Sequence, residues 1–259
     1  MHDAAAPEGP LLVVSPHLDD AALSCAALLD REAAITVLDV FTLVPEPDRS
    51  TEWDRRCGFA SAKEAMAARE AEESAAFANT RHEVLAVDLL DGQYRDDLRD
   101  ARDERRLRDA LLGWVDQQGS CTVVLPVGAG LTPGSAIGWW TQLRAYVRGQ
   151  RIVDADTDHL WVRDVAVTIL RDRPDVTIWL YEEFPHRWSR PGAAMATLVA
   201  DWAKGTLDPV VIPIDRARKG ERLAVYRSQL PVTFRRVDGR RVAKRIPADE
   251  RYWVLRFEG

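Results

Sequence analysis

Cysteine is scarce in this 259-residue chain: Cys25, Cys57 and Cys121 stand far apart, with no Cys-x-x-Cys pair. That argues against a disulfide framework and against a thiolate zinc site. Lysine is nearly absent too, with only Lys63, Lys204, Lys219 and Lys244, so the positive charge is almost all arginine. Acidic residues outnumber basic ones by 41 to 35, and a net charge of −6 disfavours nucleic acid or an anionic membrane as partner. No apolar run approaches membrane-spanning length. The segment Met1–Pro10 lacks a charged start with an apolar core behind it, so no signal peptide is expected and a cytoplasmic location is the default. Repeats and low-complexity tracts are missing as well. What remains is an ordinary globular balance, 46% hydrophobic and 29% charged, long enough to bury a large core.

Apolar runs alternate with helical patterns along the chain. The pattern predicts strands at 11–14, 35–43, 84–89, 121–127, 176–180, 209–214 and 252–257. It predicts helices at 20–31, 62–77, 104–117, 158–170, 193–204 and 218–229. Continuous apolar strands separated by helices imply a parallel sheet covered on both faces. Near the end, Phe234–Arg236 and Arg241–Lys244 flank a Val-Asp-Gly turn and suggest a hairpin. Residues 128–157, about thirty in all, are too many for a connection. They read as a glycine-rich turn plus an inserted helix carrying Trp139 and Trp140.

The chemistry starts at Leu11, where the chain reads Leu-Leu-Val-Val-Ser-Pro-His-Leu-Asp-Asp. A strand runs straight into His17, Asp19 and Asp20, and open α/β sheets hold their ligands at that end. Three-residue spacing lets His17 and Asp20 point the same way, while Asp19 points elsewhere and can take a proton. Either aspartate also suits a helix cap. A second acidic helix start, Asp156-Thr-Asp158-His159, supplies another imidazole. His17, Asp20 and His159 would then form the three-ligand set with an open position that a hydrolytic zinc site needs. Fe²⁺ suits the same donors. Such an ion lowers the pKa of bound water to about 7 and polarises an acyl oxygen. Only five histidines are present, so few other ligand sets compete. Cys25 falls on the apolar face of its helix and reads as inert core. Gly128-Ala-Gly130 lacks the third glycine of a dinucleotide loop and reads as a tight turn.

With these residues the chain resembles the PIG-L/LmbE-like zinc-dependent N-deacetylases, which remove acetyl groups from N-acetylglucosamine-type amino sugars. Ser15-Pro-His17-Leu-Asp19-Asp20-Ala21 is similar to that family's opening His-Pro-Asp-Asp-Glu-type motif. Later segments resemble it in order: Asp88–Arg95, Tyr181-Glu-Glu-Phe-Pro185, Lys219 with Tyr226-Arg-Ser228-Gln229, and Glu250-Arg-Tyr-Trp253. The resemblance implies His17, Asp20 and His159 as metal ligands and Asp19 as general base. It also implies a substrate contact for Arg69, although an arginine on that helix reads first as exposed. The family's His-x-Asp-His motif becomes Asp156-x-Asp158-His159 here, and an ionised Asp156 would repel an oxyanion. Three accounts stand. Asp156 and Asp158 share a proton, so that a neutral Asp156 donates. Or His186, after Phe184-Pro185, takes over. Or catalysis is lost and the chain only binds.

The expectation is therefore an α/β fold, a Rossmann-like three-layer sandwich with a mostly parallel sheet and a small antiparallel C-terminal addition. Residues 1–259 form one domain. Its expected reaction is hydrolysis of an N-acyl group, acetyl first, from an amino sugar or a sugar-containing small molecule. Zn²⁺-bound water attacks with Asp19 as base, and the protonated Asp19 or the Asp156/Asp158 pair protonates the amine. Trp53, Trp139, Trp140 and Trp188 are candidate sugar-facing aromatics, with core packing the simpler role. The alternatives are an amidase acting on a larger conjugate and a non-catalytic metal- and sugar-binding member.

Overall fold

A computed structural model describes residue 7 and residues 9–31, 33–128, 156–186, 192–230 and 246–257. In chain order these form β1 (Leu11–Ser15), α1 (Asp20–Ser24), α2 (Ala26–Leu29), β2 (Thr36–Asp39), α3 (Glu52–Cys57), α4 (Ala62–Phe77) and β3 (Glu83–Ala86). Then come α5 (Ala101–Val115), β4 (Cys121–Pro126), α6 (Asp156–Leu170) and β5 (Val176–Tyr181). The last are α7 (Gly192–Ala203), β6 (Gly205–Pro213), α8 (Arg216–Leu223) and β7 (Asp249–Phe257). The strands share one sheet in the order β3-β2-β1-β4-β5-β7-β6. The first five are parallel, and β7 runs antiparallel to both β5 and β6. The α/β class and the antiparallel C-terminal portion are as expected.

Alternation along β1 explains the layers. Leu12 and Val14 join a core with Leu107 and Leu111 of α5, Val162 and Ala166 of α6, and Met195 and Val199 of α7. Leu11 and Val13 face the other way, against Ala21, Cys25, Leu28 and Phe77. A period of two thus feeds both faces of a buried sheet. Strand order reverses at β1, which pairs with β2 on one side and β4 on the other. Ligand crevices of open sheets form at such switch points.

Several boundaries differ from the sequence pattern, each for a local reason. The helix expected at 20–31 breaks at Cys25, because the Glu250 carboxylate takes the N–H groups of Ala26 and Ala27 and starts a new helix there. Helix α5 begins three residues early, where Asp100 and Asp103 form a capping box. Helix α3 was not anticipated. Its short polar sequence has little apolar periodicity, and a Thr51/Asp54 capping box holds it. Helix α8 stops at Leu223 rather than 229, and the next residues turn to place Tyr226, Ser228 and Gln229 against α4. The hairpin at 234–244, most of the segment at 128–157, Trp139, Trp140 and Trp188 lie outside the described residues.

Candidate metal centre

Three loops converge on the carboxyl end of β1. His17 and Asp20 follow β1, His159 sits in the first turns of α6, and Asp91 lies beyond β3. Ser15 organises the start: its hydroxyl donates to the His17 carbonyl (2.6 Å) and accepts from the Ala21 N–H (3.1 Å). Asp20 Oδ2 accepts from the His17 backbone N–H at 2.9 Å. Asp19 occupies the N-cap position, yet its side chain makes no capping bond. The expected dual use of these aspartates is therefore corrected. Ser15 and Asp20 satisfy the turn, and the Asp19 carboxylate is left for other work.

His17 Nδ1, Asp20 Oδ2 and His159 Nε2 form a nearly equilateral triangle. Its edges are 3.2 Å between the imidazoles and 3.3 Å from each imidazole to the carboxylate. Donors about 2.0–2.1 Å from a tetrahedral ion stand about 3.3–3.4 Å apart, so the spacing matches three corners of such a site. His159 Nδ1 donates to Glu183 Oε1 at 2.6 Å, which fixes the tautomer that leaves Nε2 as the acceptor facing the triangle. His17 offers Nδ1 inward and turns Nε2 towards Asp91 (3.7 Å) and Asp158 (3.6 Å).

These last two carboxylates could form a rival ion site with His17. Their oxygens are already in use. Asp158 accepts from Gly92 N–H at 2.8 Å and from Arg99. Asp91 accepts from the Gln93 backbone and side chain, at 2.9 and 2.8 Å, and faces Arg69 at 3.7 Å. They stand behind His17, and the triangle is the stronger candidate for an ion.

Electrostatics point the same way. Burial alone would lower both imidazole pKa values, but it is outweighed. Asp91, Asp158 and Asp20 hold His17 well above its usual value, and Asp20 and Glu183 bring His159 to about 9. Burial would raise Asp20, yet the two histidines keep it well below the usual carboxylate range. The surrounding carboxylates thus favour positive charge at these imidazoles. Asp19 differs from its neighbour. Burial, then the Asp20 charge, raise it to about 6, with Arg69 opposing. A carboxyl poised near neutrality suits a general base.

No family model and no curated protein matches the chain. Solved structures do. A teicoplanin deacetylase, Orf2, in a zinc-inhibited form is 20% identical with a TM-score of 0.65, over 95% of this chain and 98% of that one. The deacetylase–teicoplanin complex is 21% identical with a TM-score of 0.66, over 96% and 99%. The A40926 pseudoaglycone deacetylase Dbv21 is 22% identical with a TM-score of 0.64, over 96% and 98%. These likenesses establish the fold. The 4-carboxy-2-hydroxymuconate hydratase GalB of Pseudomonas putida also aligns, at 15% identity and a TM-score of 0.53, over 97% and 98%. One fold thus carries hydrolytic and hydratase sites, and the reaction must be argued from the residues.

The remaining predicted residues are placed as follows. Arg69 is buried rather than exposed, at 5% accessibility, and donates to Gln229 Oε1 at 2.7 Å. It lies on the inward stripe of α4 with Ala62, Ala65, Met66, Glu73 and Phe77. The His186 ring stands 6.2 Å from the His159 ring, edge to face. Asp156 opens α6, and its side chain lies outside the described residues. Glu183, Asp91 and Arg99 were not assigned roles from sequence. Glu183 had a signal, since a carboxylate just past the end of a central strand lies at the ligand edge. Arg99 had none, because its partners are set by loop folding alone.

Proposed function

We propose that the protein is a metal-dependent N-deacetylase that removes an acetyl group from the amino sugar of a glycoside or a related conjugate. The observation that carries this reading is the triangle of His17, Asp20 and His159 beside an uncapped, buried Asp19. The teicoplanin deacetylase and the A40926 pseudoaglycone deacetylase support the deacetylase reading, because they share the fold. Zn²⁺ or Fe²⁺ suits the donors. When bound, such an ion supplies Lewis acidity towards an acyl oxygen and acidifies a coordinated water.

The chain's own groups do the rest. Asp19 takes the proton of the attacking water and returns it to the nitrogen of the leaving amine. Glu183 holds the Nδ1–H tautomer of His159 and orients Nε2 towards the triangle, and Asp91 and Asp158 hold the His17 ring. With the oxygens of Asp158 engaged by Arg99 and Gly92, we give it this bracing role. His186 is the second candidate for carrying the proton to the amine. Asp156, in the place of a histidine in the resembling family, favours one further reading: a member that binds metal and sugar without turnover.

Asp19→Asn decides between them. Acetate release from N-acetylglucosamine, its glycosides and an N-acetylated glycopeptide is measured with and without chelator. The expected result is chelator-sensitive release, slowed by about 10²–10⁴-fold in Asp19→Asn while metal content is kept. One equivalent of metal with no release from any acyl compound would establish the binding reading instead.

A further inference from the structure

We infer that Arg99 is a positioning residue for the metal centre, acting through Asp158 on His17; the inference rests on the triangle being a metal site. Arg99 comes from the loop between Tyr94 and α5, well away from the sheet in sequence. Its side chain is nonetheless only 8% exposed. The guanidinium lies over the Phe41 ring at 3.9 Å and near the Trp161 ring at 4.9 Å. From there its fork does two things. One nitrogen donates to the Leu90 carbonyl at 2.9 Å, and the other to Asp158 Oδ1.

This arrangement over-determines Asp158. Oδ1 is held by Arg99, while Oδ2 accepts from Gly92 N–H at 2.8 Å and stands 3.6 Å from His17 Nε2. The fit is close: a Cβ on Gly92 would come within 2.8 Å of Asp158 Oδ1. Phe41 also touches the His17 ring, with centroids 5.5 Å apart. Thus one arginine sets both the carboxylate behind the imidazole and the ring beside it. A planar fork packed against two aromatic rings does this with little freedom left, and a lysine would not reproduce it. Without Arg99, Asp158 Oδ1 loses its partner, the carboxylate is free to turn, and His17 loses its brace. Groups that fix the far side of a metal-binding histidine are typically worth about 10–100-fold in metal affinity.

The test uses Co²⁺ as probe, with affinity measured by competition against a chromophoric chelator and geometry by the visible d–d absorption of the bound ion. The variants are Arg99→Met, Arg99→Lys, Asp158→Asn and the Arg99→Met/Asp158→Asn double. Arg95→Met is the control, since Arg95 serves Asp103 and the Leu98 carbonyl instead. Expected are a loss of about 10–100-fold in Co²⁺ affinity and an altered spectrum for Arg99→Met, a smaller loss for Arg99→Lys, and neither change for Arg95→Met. The double variant should be no worse than Asp158→Asn. A folded Arg99→Met with affinity within twofold of the unaltered protein and the same spectrum overturns the inference, as does full additivity in the double. If Arg99→Met does not fold, Arg99→Lys with unchanged affinity and spectrum overturns it equally. An unaltered protein that takes up no Co²⁺ overturns both this inference and the metal reading beneath it. Co²⁺ uptake with an indifferent Arg99 overturns this one alone.

Discussion

Two buried polar clusters adjoin the short α1–α2 segment, each built around a carboxylate. In one, Glu250 accepts from Ala26 N–H, Ala27 N–H, Lys219 Nζ and the Tyr252 hydroxyl, at 3.0, 2.8, 2.6 and 2.7 Å. In the other, His17 Nδ1, Asp20 Oδ2 and His159 Nε2 meet at 3.2–3.3 Å. An ionised carboxylate offers about four lone-pair sites, and Glu250 has four donors. It is saturated and serves as the cap of α2. The triangle brings three metal-binding atoms together, with the His17 backbone N–H as a further donor to Asp20 Oδ2, and we read it as the cluster that takes a cation. Both clusters come from segments by which the chain resembles deacetylases, yet we assign chemistry to only one of them. The difference lies in what the central atoms meet: four donors around Glu250, other metal-binding atoms in the triangle.

The comparison breaks most sharply at His159. Removing one corner of the triangle should cost more than the about 10–100-fold typical of groups behind a ligand. His159→Ala is thus expected to hold no stoichiometric Zn²⁺ after reloading, and to release acetate no faster than chelated protein, with its fold intact by circular dichroism. Full metal content in that variant would show that the triangle is not the site.

The mirror experiment is Lys219→Met. Lys219 is fully buried and Glu250 nearly so, and taking one partner from a buried pair costs about 3–5 kcal/mol. Urea unfolding should show that loss, while Zn²⁺ affinity of the folded protein stays unchanged. A variant that kept its stability but lost its metal would reverse the roles assigned to the two clusters.

Much of this was legible beforehand, and the gaps have physical causes. Strand positions followed from runs such as Leu11–Val14 because both sheet faces are covered. His17, Asp20 and His159 could be singled out because imidazoles are rare here and two acidic helix starts each follow a strand. Arg69 was misjudged as exposed by residue type. The stripe 62, 65, 66, 69, 73, 77 has helical spacing and places it inward with Met66. The break at Cys25 was out of reach because it depends on Glu250, more than 220 residues later. The Arg99 clamp was hidden for the same reason, since its contacts with Asp158, Phe41 and Trp161 join distant segments.

Glu183 sharpens the comparison at smaller scale. It is as buried as Glu250, but its bond to His159 Nδ1 sets a tautomer rather than closing a cluster. Glu183→Gln keeps the shape and can still accept, yet it no longer stabilises a charged imidazole or strengthens it as a donor. Zn²⁺ affinity should fall by about 10–100-fold, with thermal stability of the metal-free protein little changed. Loss of stability without loss of affinity would place Glu183 with the structural cluster instead.

The smallest expected effect concerns Glu73, a carboxyl belonging to neither extreme. Its Oε2 accepts from the Tyr226 hydroxyl at 2.6 Å, while Oε1 has no partner. Burial raises its pKa from 4.5 to about 8; the Tyr226 bond opposes this, and the charges of Asp19 and Asp20 add to it. The sign follows from proton counts. Below pH 4.5 the group is neutral in both folded and unfolded chains and costs nothing. Between 4.5 and 8 the unfolded chain sheds the proton that the folded one keeps, so stability falls as pH rises, until above 8 the folded protein carries a buried charge. Glu73→Gln removes that slope and preserves an acceptor for Tyr226. The Tm of Glu73→Gln relative to the unaltered protein should therefore climb between pH 5 and 8, by about 2–4 °C for each kcal/mol of difference. A gap that stays flat with pH would mean that Glu73 is already ionised in the fold. It would then sit among the compensated groups, beside Glu250.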